Sequence, residues 1–268
     1  VAVLGEFPPL LEHNSFIEEL ALAPDPDLAL ESSLAWFSAA DATLQHDWLS
    51  DAGTRARWLM IAGASEAFSQ FLIQHPAEMR ILCTDGLWEN YGGRASVIER
   101  ILASVGAQWR DGRWIAAVDS EEQLNALRRA YRREVVAIAA RDLCGDAALE
   151  VVTEHLSDVA DAVIEAATAV AWASVNPGEP LSRFAVIAMG KCGGRELNYI
   201  SDVDVIFVAE PFHEDSVGFI EESTRLASRM MQVCETPTSE GMIWQVDPAL
   251  RPEGKSGALV RTLDGHIS

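Results

Sequence analysis

Two aspartates two residues apart, Asp202 and Asp204, open the β-branched run Val203 to Val208. On a strand, alternate residues share a face, so these carboxylates point together while Val203, Val205 and Phe207 point the other way. Adjacent ionised carboxylates repel, and a half-buried sheet tolerates them only beside a positive partner. A divalent cation with oxygen ligands, Mg²⁺ or Mn²⁺, meets that need without the His and Cys donors that zinc favours. An isolated D-x-D is also the ordinary composition of a solvated strand end. Upstream, Gly190-Lys191 and Gly193-Gly194 make a small-residue turn after the apolar run Phe184 to Met189, with ten residues between Lys191 and Asp202. Accessible N–H groups in such a turn hold phosphate oxygens, and Lys191 adds positive charge. Downstream, the run Met242 to Val246 leads into Asp247, which offers a third carboxylate to the same place. The turn matches neither the Walker A loop nor the G-x-G-x-x-G fingerprint.

The elements that must position these residues divide the chain by texture. Residues 1 to about 30, with Pro8, Pro9, Pro24 and Pro26, predict a loosely structured lead-in with short helical turns. From there to about 180 the periodicity is helical, with segments expected at Arg55 to Ala62, Ser65 to Gln74 and Ser96 to Trp109. Ser120 followed by Gln123 matches a capping box, with Leu124, Leu127, Tyr131, Val135 and Ile138 on one face and Gly145 as a C-terminal stop. A long Ala- and Val-rich helix is predicted from about 147 to 175, ending before Asn176-Pro177-Gly178. Beyond Pro180 the order is strand (184 to 189), strand (203 to 208), helix (217 to 235, with Ile220, Thr224, Ala227 and Met231 as its apolar stripe) and strand (242 to 246). The expected fold class is α+β: a predominantly α-helical region over 1–180, then a small α/β domain with a short mixed sheet over 181–268.

Composition sets bounds. A chain of 268 residues, 49% hydrophobic and with eight tryptophans, can bury one or two substantial cores. The formal net charge of -21 speaks against a nucleic-acid partner, whose phosphates reward clustered Lys and Arg. Most of that acidity lies in residues 1–180, where it serves solubility or offers a docking face to a basic partner. Cys83, Cys144, Cys192 and Cys234 are scattered, as are the six histidines, so neither a zinc site nor a disulfide framework is expected. No apolar run reaches membrane-spanning length and no leader pattern opens the sequence; a cytoplasmic protein without a membrane role is expected.

A glycine turn, Ser201-Asp-x-Asp and a later strand-borne Asp resemble the nucleotidyltransferase superfamily typified by DNA polymerase β, which often has a serine where this chain has Lys191. The longer strings "MGKCGGRELNYISDVDVIF" and "VDPALRPEGKSGALVRTL" resemble the glutamine synthetase adenylyltransferase/adenylyl-removing family, over roughly 183 to 264. "LRRAYRREVVAIAARDLCG" and "VTEHLSDVADAVIEAA" extend the likeness back to about 120, and more weakly to about 50. That family carries two related catalytic halves, of which one copy is present here. "GRELNYISD", through Asn198, is more similar to the half that removes AMP from a glutamine synthetase tyrosine by phosphorolysis, releasing ADP, than to the half that attaches AMP from ATP.

The resemblance implies metal ligation by Asp202, Asp204 and Asp247, a nucleotide-cradling role for Gly190, Lys191 and Ser201, and either phosphate holding or a loop salt bridge for Arg251. Glu196 and Asn198 are implied either to support the site or to shape the turn, and Lys255 and Ser256 to form a loop. It further implies Mg²⁺ (or Mn²⁺), adenylylated glutamine synthetase, phosphate and adenine nucleotide as ligands, with PII signal protein and glutamine as regulators. The opposite reaction, adenylylation from ATP, is the alternative on the same fold. A non-catalytic nucleotide- or signal-protein-binding module is the alternative of another class. The family's helical sequence continues past this point, so the catalytic domain is expected to be truncated at its C-terminal end.

Overall fold

The computed structural model describes residues 15–83 and 91–267. The Pro8-Pro9 part of the expected lead-in lies outside the described residues. Packing divides the chain into two compact units, one formed by residues 1–91 and 132–152, the other by 92–131 and 153–268.

The first unit is helical. It contains α1 (Phe16–Leu20), α2 (Pro26–Ala39), α3 (Ala42–Ser50), α4 (Ala52–Ala64), α5 (Glu66–Gln74) and a 3-10 segment at Pro76–Leu82. Three of these helices start on an aspartate, and each uses Oδ1 to accept two N–H groups of the first turn. Asp25 takes Asp27 and Leu28, Asp41 takes Thr43 and Leu44, and Asp51 takes Gly53 and Thr54. Carboxylates there satisfy orphan donors and face the positive end of the helix dipole, so part of the acidity of this region is helix capping. The core gathers Phe16, Trp36, Trp48 and Trp58, all nearly or wholly buried, with ring centroids 5.8 to 6.3 Å apart. Trp58 Nε1 donates to Ser33 Oγ at 2.9 Å, and the buried Arg55 is paired with Glu19 at 2.8 Å.

The second unit carries the sheet. It includes α6 (Arg94–Ser104), the hairpin β1 (Gln108–Arg110) and β2 (Arg113–Ile115), β3 (Ser182–Ala188), a four-residue helical turn α9 (Gly190–Gly193), β4 (Val203–Pro211) and α10 (Phe219–Glu235). β5 (Val246–Asp247), a 3-10 turn (Gly254–Ser256), β6 (Val260–Arg261) and α11 (Leu263–Ile267) complete it. Two long helices, α7 (Glu121–Leu143) and α8 (Leu149–Val175), run through both units. At the start of α7, Ser120 Oγ accepts Gln123 N at 3.3 Å, but the Gln123 amide donates to Val105 O at 3.1 Å, so only half of the capping box forms. At its end Gly145, with φ 75°, donates to Asp142 O while Asp146 N reaches Arg141 O, the paired bonds of a Schellman stop.

The sheet is mixed, as expected. β4 is central, antiparallel to β3 over Val205–Pro211 and parallel to both β5 and β6. Val203, Val205, Phe207 and Ala209 are wholly buried, as are Leu226, Ala227, Met230 and Val233 of α10. The buried stripe of α10 thus includes Ala227 but leaves Ile220, Thr224 and Met231 at its margin. Two expectations are corrected. The helix from 96 to 109 stops at Ser104, because Gly106 (φ 59°) turns left-handed and Ala107 N bonds back to Leu102 O at 3.1 Å; Asp111 (φ 48°) and Gly112 (φ 76°) then form the tight two-residue turn of β1–β2. The strand from 242 to 246 shrinks to Val246–Asp247, because Thr238 and Gly241 close a turn and Ile243 N bonds back to Cys234 O at 3.0 Å.

Candidate active site

The register of β4 and β5 pairs Val203 with Val246 and Asp204 with Asp247. Parallel partners sit about 4.8 Å apart on one face, so Asp204 and Asp247 stand side by side. Asp202 precedes β4 by one residue with the same facing parity; it is exposed, whereas Asp204 and Asp247 are half-buried. Asp247 Oδ1 accepts Ala249 N at 2.7 Å, which fixes that carboxylate at the start of the following loop.

The glycine turn closes over the same strand. Met189 N donates to Asp204 O at 2.8 Å, tying the end of β3 to the main chain of the central aspartate. Gly190 adopts φ 53°, and a Cβ there would collide with Asp204 Oδ2. Glycine is therefore required twice over, by backbone and by space. A Cβ on Gly193 would lie 2.5 Å from Ala188 O, so the turn is packed tightly on β3 as well. Lys191 is exposed on the turn. Cys192 is buried beneath it, and burial, reinforced by Asp161, pushes its thiol up to about 11.

The loop before Asp202 is shaped by Asn198, whose Oδ1 accepts Ile200 N at 3.1 Å and Ser201 Oγ at 2.7 Å. Asn198 is thus a turn former, and Ser201 is held on it next to Asp202. Arg251 donates through Nη1 to Pro248 O at 2.6 Å and through Nε to Gly257 O at 3.3 Å, bracing the loop that follows Asp247. Ser256 lies in the 3-10 turn of that loop, and Glu196 is exposed.

Among the described residues, no three His, Cys, Asp or Glu side chains are drawn together into a ready-made metal cluster. The site still fits a hard cation in kind. Its donors are carboxylate oxygens, on two residues paired across adjacent strands, and Gly190 lets the turn come closer to Asp204 Oδ2 than any Cβ would permit.

Several residues that position the site carry no signal in the sequence. Arg195, directly after Gly193-Gly194, bonds to Asp158 Oδ1 of α8 at 2.5 Å, and Leu197 N reaches Ser157 Oγ at 3.4 Å. That bond to Asp158 raises the arginine's already high pKa. Glu222 of α10 is 1% exposed and accepts Leu181 N, Ser182 N and Ser182 Oγ at 2.9 to 3.1 Å, with Asn176 Nδ2 at 2.5 Å, fixing the start of β3. Arg128 of α7, wholly buried, donates to the carbonyls of Leu124, Val233, Thr236 and Gly241. It ties the end of α10 to the turn that leads to β5. Such pairings join residues tens of positions apart, and no spacing rule announces them.

A mixed sheet whose central strand carries Asp204 under a glycine turn, with Asp202 one residue before the strand and Asp247 across a parallel ladder, defines an α+β domain of nucleotidyltransferase type. Comparison with known proteins narrows this. The family model for glutamate-ammonia ligase adenylyltransferase matches residues 55–266, and the chain belongs to that family. It is 40% identical over 270 residues to the bifunctional glutamine synthetase adenylyltransferase/adenylyl-removing enzyme of Streptomyces avermitilis, covering 98% of this chain and 25% of the relative. The enzyme of the same description from Streptomyces coelicolor is 40% identical over 261 residues, 94% of this chain and 24% of its own length. That from Cutibacterium acnes is 38% identical over 245 residues, 90% and 24% respectively. The chain therefore spans about a quarter of the length of the curated relatives it matches. No helix among the described residues is long and apolar enough to cross a membrane.

Proposed function

We propose that this chain carries an AMP-transferring site of the adenylyl-removing type: phosphate attacks the AMP phosphorus on an adenylylated glutamine synthetase tyrosine, and ADP leaves. The observation that supports AMP transfer is the apposition of Gly190, Asp204 and Asp247. The direction of transfer rests on the likeness of "GRELNYISD" to the removing half.

The step balances without an added acid or base. A phosphate oxygen forms the new bond to phosphorus, the bond to the tyrosyl oxygen breaks, and the proton of hydrogenphosphate ends on that oxygen. Tyrosine, with a reference pKa of about 10, is an adequate leaving group. Asp202, Asp204 and Asp247 would hold Mg²⁺ or Mn²⁺, which when bound supplies charge against the developing negative charge on the transferred phosphoryl oxygens. Gly190 lets the turn lie close against Asp204, Lys191 meets phosphate charge from the exposed side of the turn, and Ser201 stands next to Asp202 on the Asn198 turn. Arg251 keeps the Asp247 loop in shape. PII signal protein and glutamine as regulators, and a cytoplasmic setting, follow from family likeness and belong to the same proposal.

The test is to incubate the chain with adenylylated glutamine synthetase, phosphate and Mg²⁺ and to identify the nucleotide released. ADP supports removal; pyrophosphate formed from ATP and unmodified synthetase would reverse the direction. Asp204→Asn should abolish turnover yet leave thermal stability within about 1 kcal/mol, because neutralising one of two adjacent carboxylates relieves repulsion. An active Asp204→Asn variant would remove this residue from the site.

A further inference from the structure

The residue after the glycine turn has an unusual backbone. Arg195 adopts φ 58°, one of three described non-glycine residues with positive φ, in a segment where glycine is the favoured choice. What an arginine adds there is its fork. The guanidinium meets Asp158 Oδ1 at 2.5 Å, Asp161 Oδ2 at 3.5 Å and Glu154 Oε1 at 3.7 Å, all on one face of α8. Asp158 is 4% exposed, so this is a buried carboxylate; its other cation is Arg94, at 3.7 Å, which also pairs with Asp161 at 3.0 Å. Just beyond, Leu197 N reaches Ser157 Oγ. On the other side, Arg195 N and Glu196 N bond back to Cys192 O and Lys191 O, at 3.2 and 2.8 Å. One stretch of chain is thus bonded backwards to the turn and sideways to a long helix.

We infer that Arg195 is a positioning residue: by clamping onto Asp158 it holds the Gly190–Gly194 turn against Asp204, and its loss frees the turn and weakens nucleotide binding. The nucleotide part rests on the function proposed above. A left-handed backbone at an arginine persists only when surrounding contacts over-determine it, and the Asp158 pair is the strongest contact in reach. A planar two-pronged group suits that task better than the point charge of a lysine.

The experiment combines hydrogen exchange with calorimetry on the wild-type chain and the variants Arg195→Ala, Arg195→Lys and Asp158→Asn, with ADP and Mg²⁺ as the probe. In Arg195→Ala the amides of residues 189–197 should exchange at least tenfold faster while those of α10 change less than twofold, and ADP affinity should fall about tenfold. Arg195→Lys should recover part of both effects, and Asp158→Asn should resemble Arg195→Ala. Unchanged exchange at 189–197 overturns the clamp, as does equal acceleration at the turn and in α10, which marks a general loss of stability. ADP affinity within twofold of wild type in Arg195→Ala overturns the link to the nucleotide. A wild-type chain that binds no ADP refutes the functional reading itself, and the exchange measurement still decides the clamp.

Discussion

Replacing Gly190 by alanine perturbs the site through the smallest change the sequence allows. Its backbone sits at φ 53°, where a Cβ costs about 1–2 kcal/mol. The same Cβ would strike Asp204 Oδ2. Pushing that carboxylate off its rotamer costs about 0.5–1.5 kcal/mol more. Gly190→Ala should therefore lose about 2–3 kcal/mol, which for a chain of this size is a fall of about 5–10 °C in Tm. The two contributions separate in a double-mutant cycle. With Asp204→Ala as background the clash disappears and only the backbone cost remains, so the two substitutions should show a coupling of about 1 kcal/mol. Chemical denaturation of the four proteins measures it. Equal costs in both backgrounds would refute the contact between Gly190 and Asp204, and a Gly190→Ala cost below about 0.5 kcal/mol would refute the backbone argument too.

Three further outcomes are expected. Glu222→Gln leaves one acceptor where two carboxylate oxygens take four donors, and should cost about 2 kcal/mol in thermal unfolding. Arg128→Met leaves the buried carbonyl of Val233 and the part-buried carbonyls of Thr236 and Gly241 without their donor and should cost about 2–3 kcal/mol, with the segment leading to β5 gaining hydrogen exchange first. The third concerns pH. At Asp51, burial raises the carboxyl pKa, but bonds from Thr54 and Gly53 outweigh it and hold the value below 3.8. A folded pKa below the unfolded one means stability present above about pH 4 and lost as pH falls through the lowered value. Asp51→Asn, which keeps the cap and loses the charge, should flatten the acid limb of a stability-against-pH curve without shifting its neutral plateau by more than about 1 kcal/mol.

The main strands and long helices are legible because their signals are local. Val203 to Val208 is rich in β-branched residues, and Gly145 stands two residues past the last helical residue, Leu143. The β1–β2 hairpin was equally open to reading, since Asp111-Gly112 is the strongest short hairpin signal in the chain, yet the helical period of Ser96 to Ser104 masks it when carried on to Trp109. The third strand contracts for a non-local reason. Arg128 and the Thr238–Gly241 turn claim the segment before Val246, and neither can be foreseen from residues 242 to 246 alone. The pairing of Asp204 with Asp247 lies between these cases: residue types and parity suggest the neighbours, but the parallel register that sets them side by side is a property of the folded sheet.

The two-residue ladder between β4 and β5 also bears on the order in which the molecule assembles. Asp202 and Asp204 are carried into place by β3 and β4, whose ladder runs over seven pairs and closes a short loop. Asp247 arrives through a longer chain segment, the 43 positions from Asp204 to Asp247, secured by two pairs. Closing the longer loop costs more entropy, and so small a ladder returns little until α10 has docked. Pairing of Asp247 beside Asp204 is thus a late event, as is that of β6, which joins β4 through two pairs further along the chain. On the function proposed above, AMP transfer then waits on the docking of β5, the shortest element beside the glycine turn, rather than on the longer β3–β4 ladder.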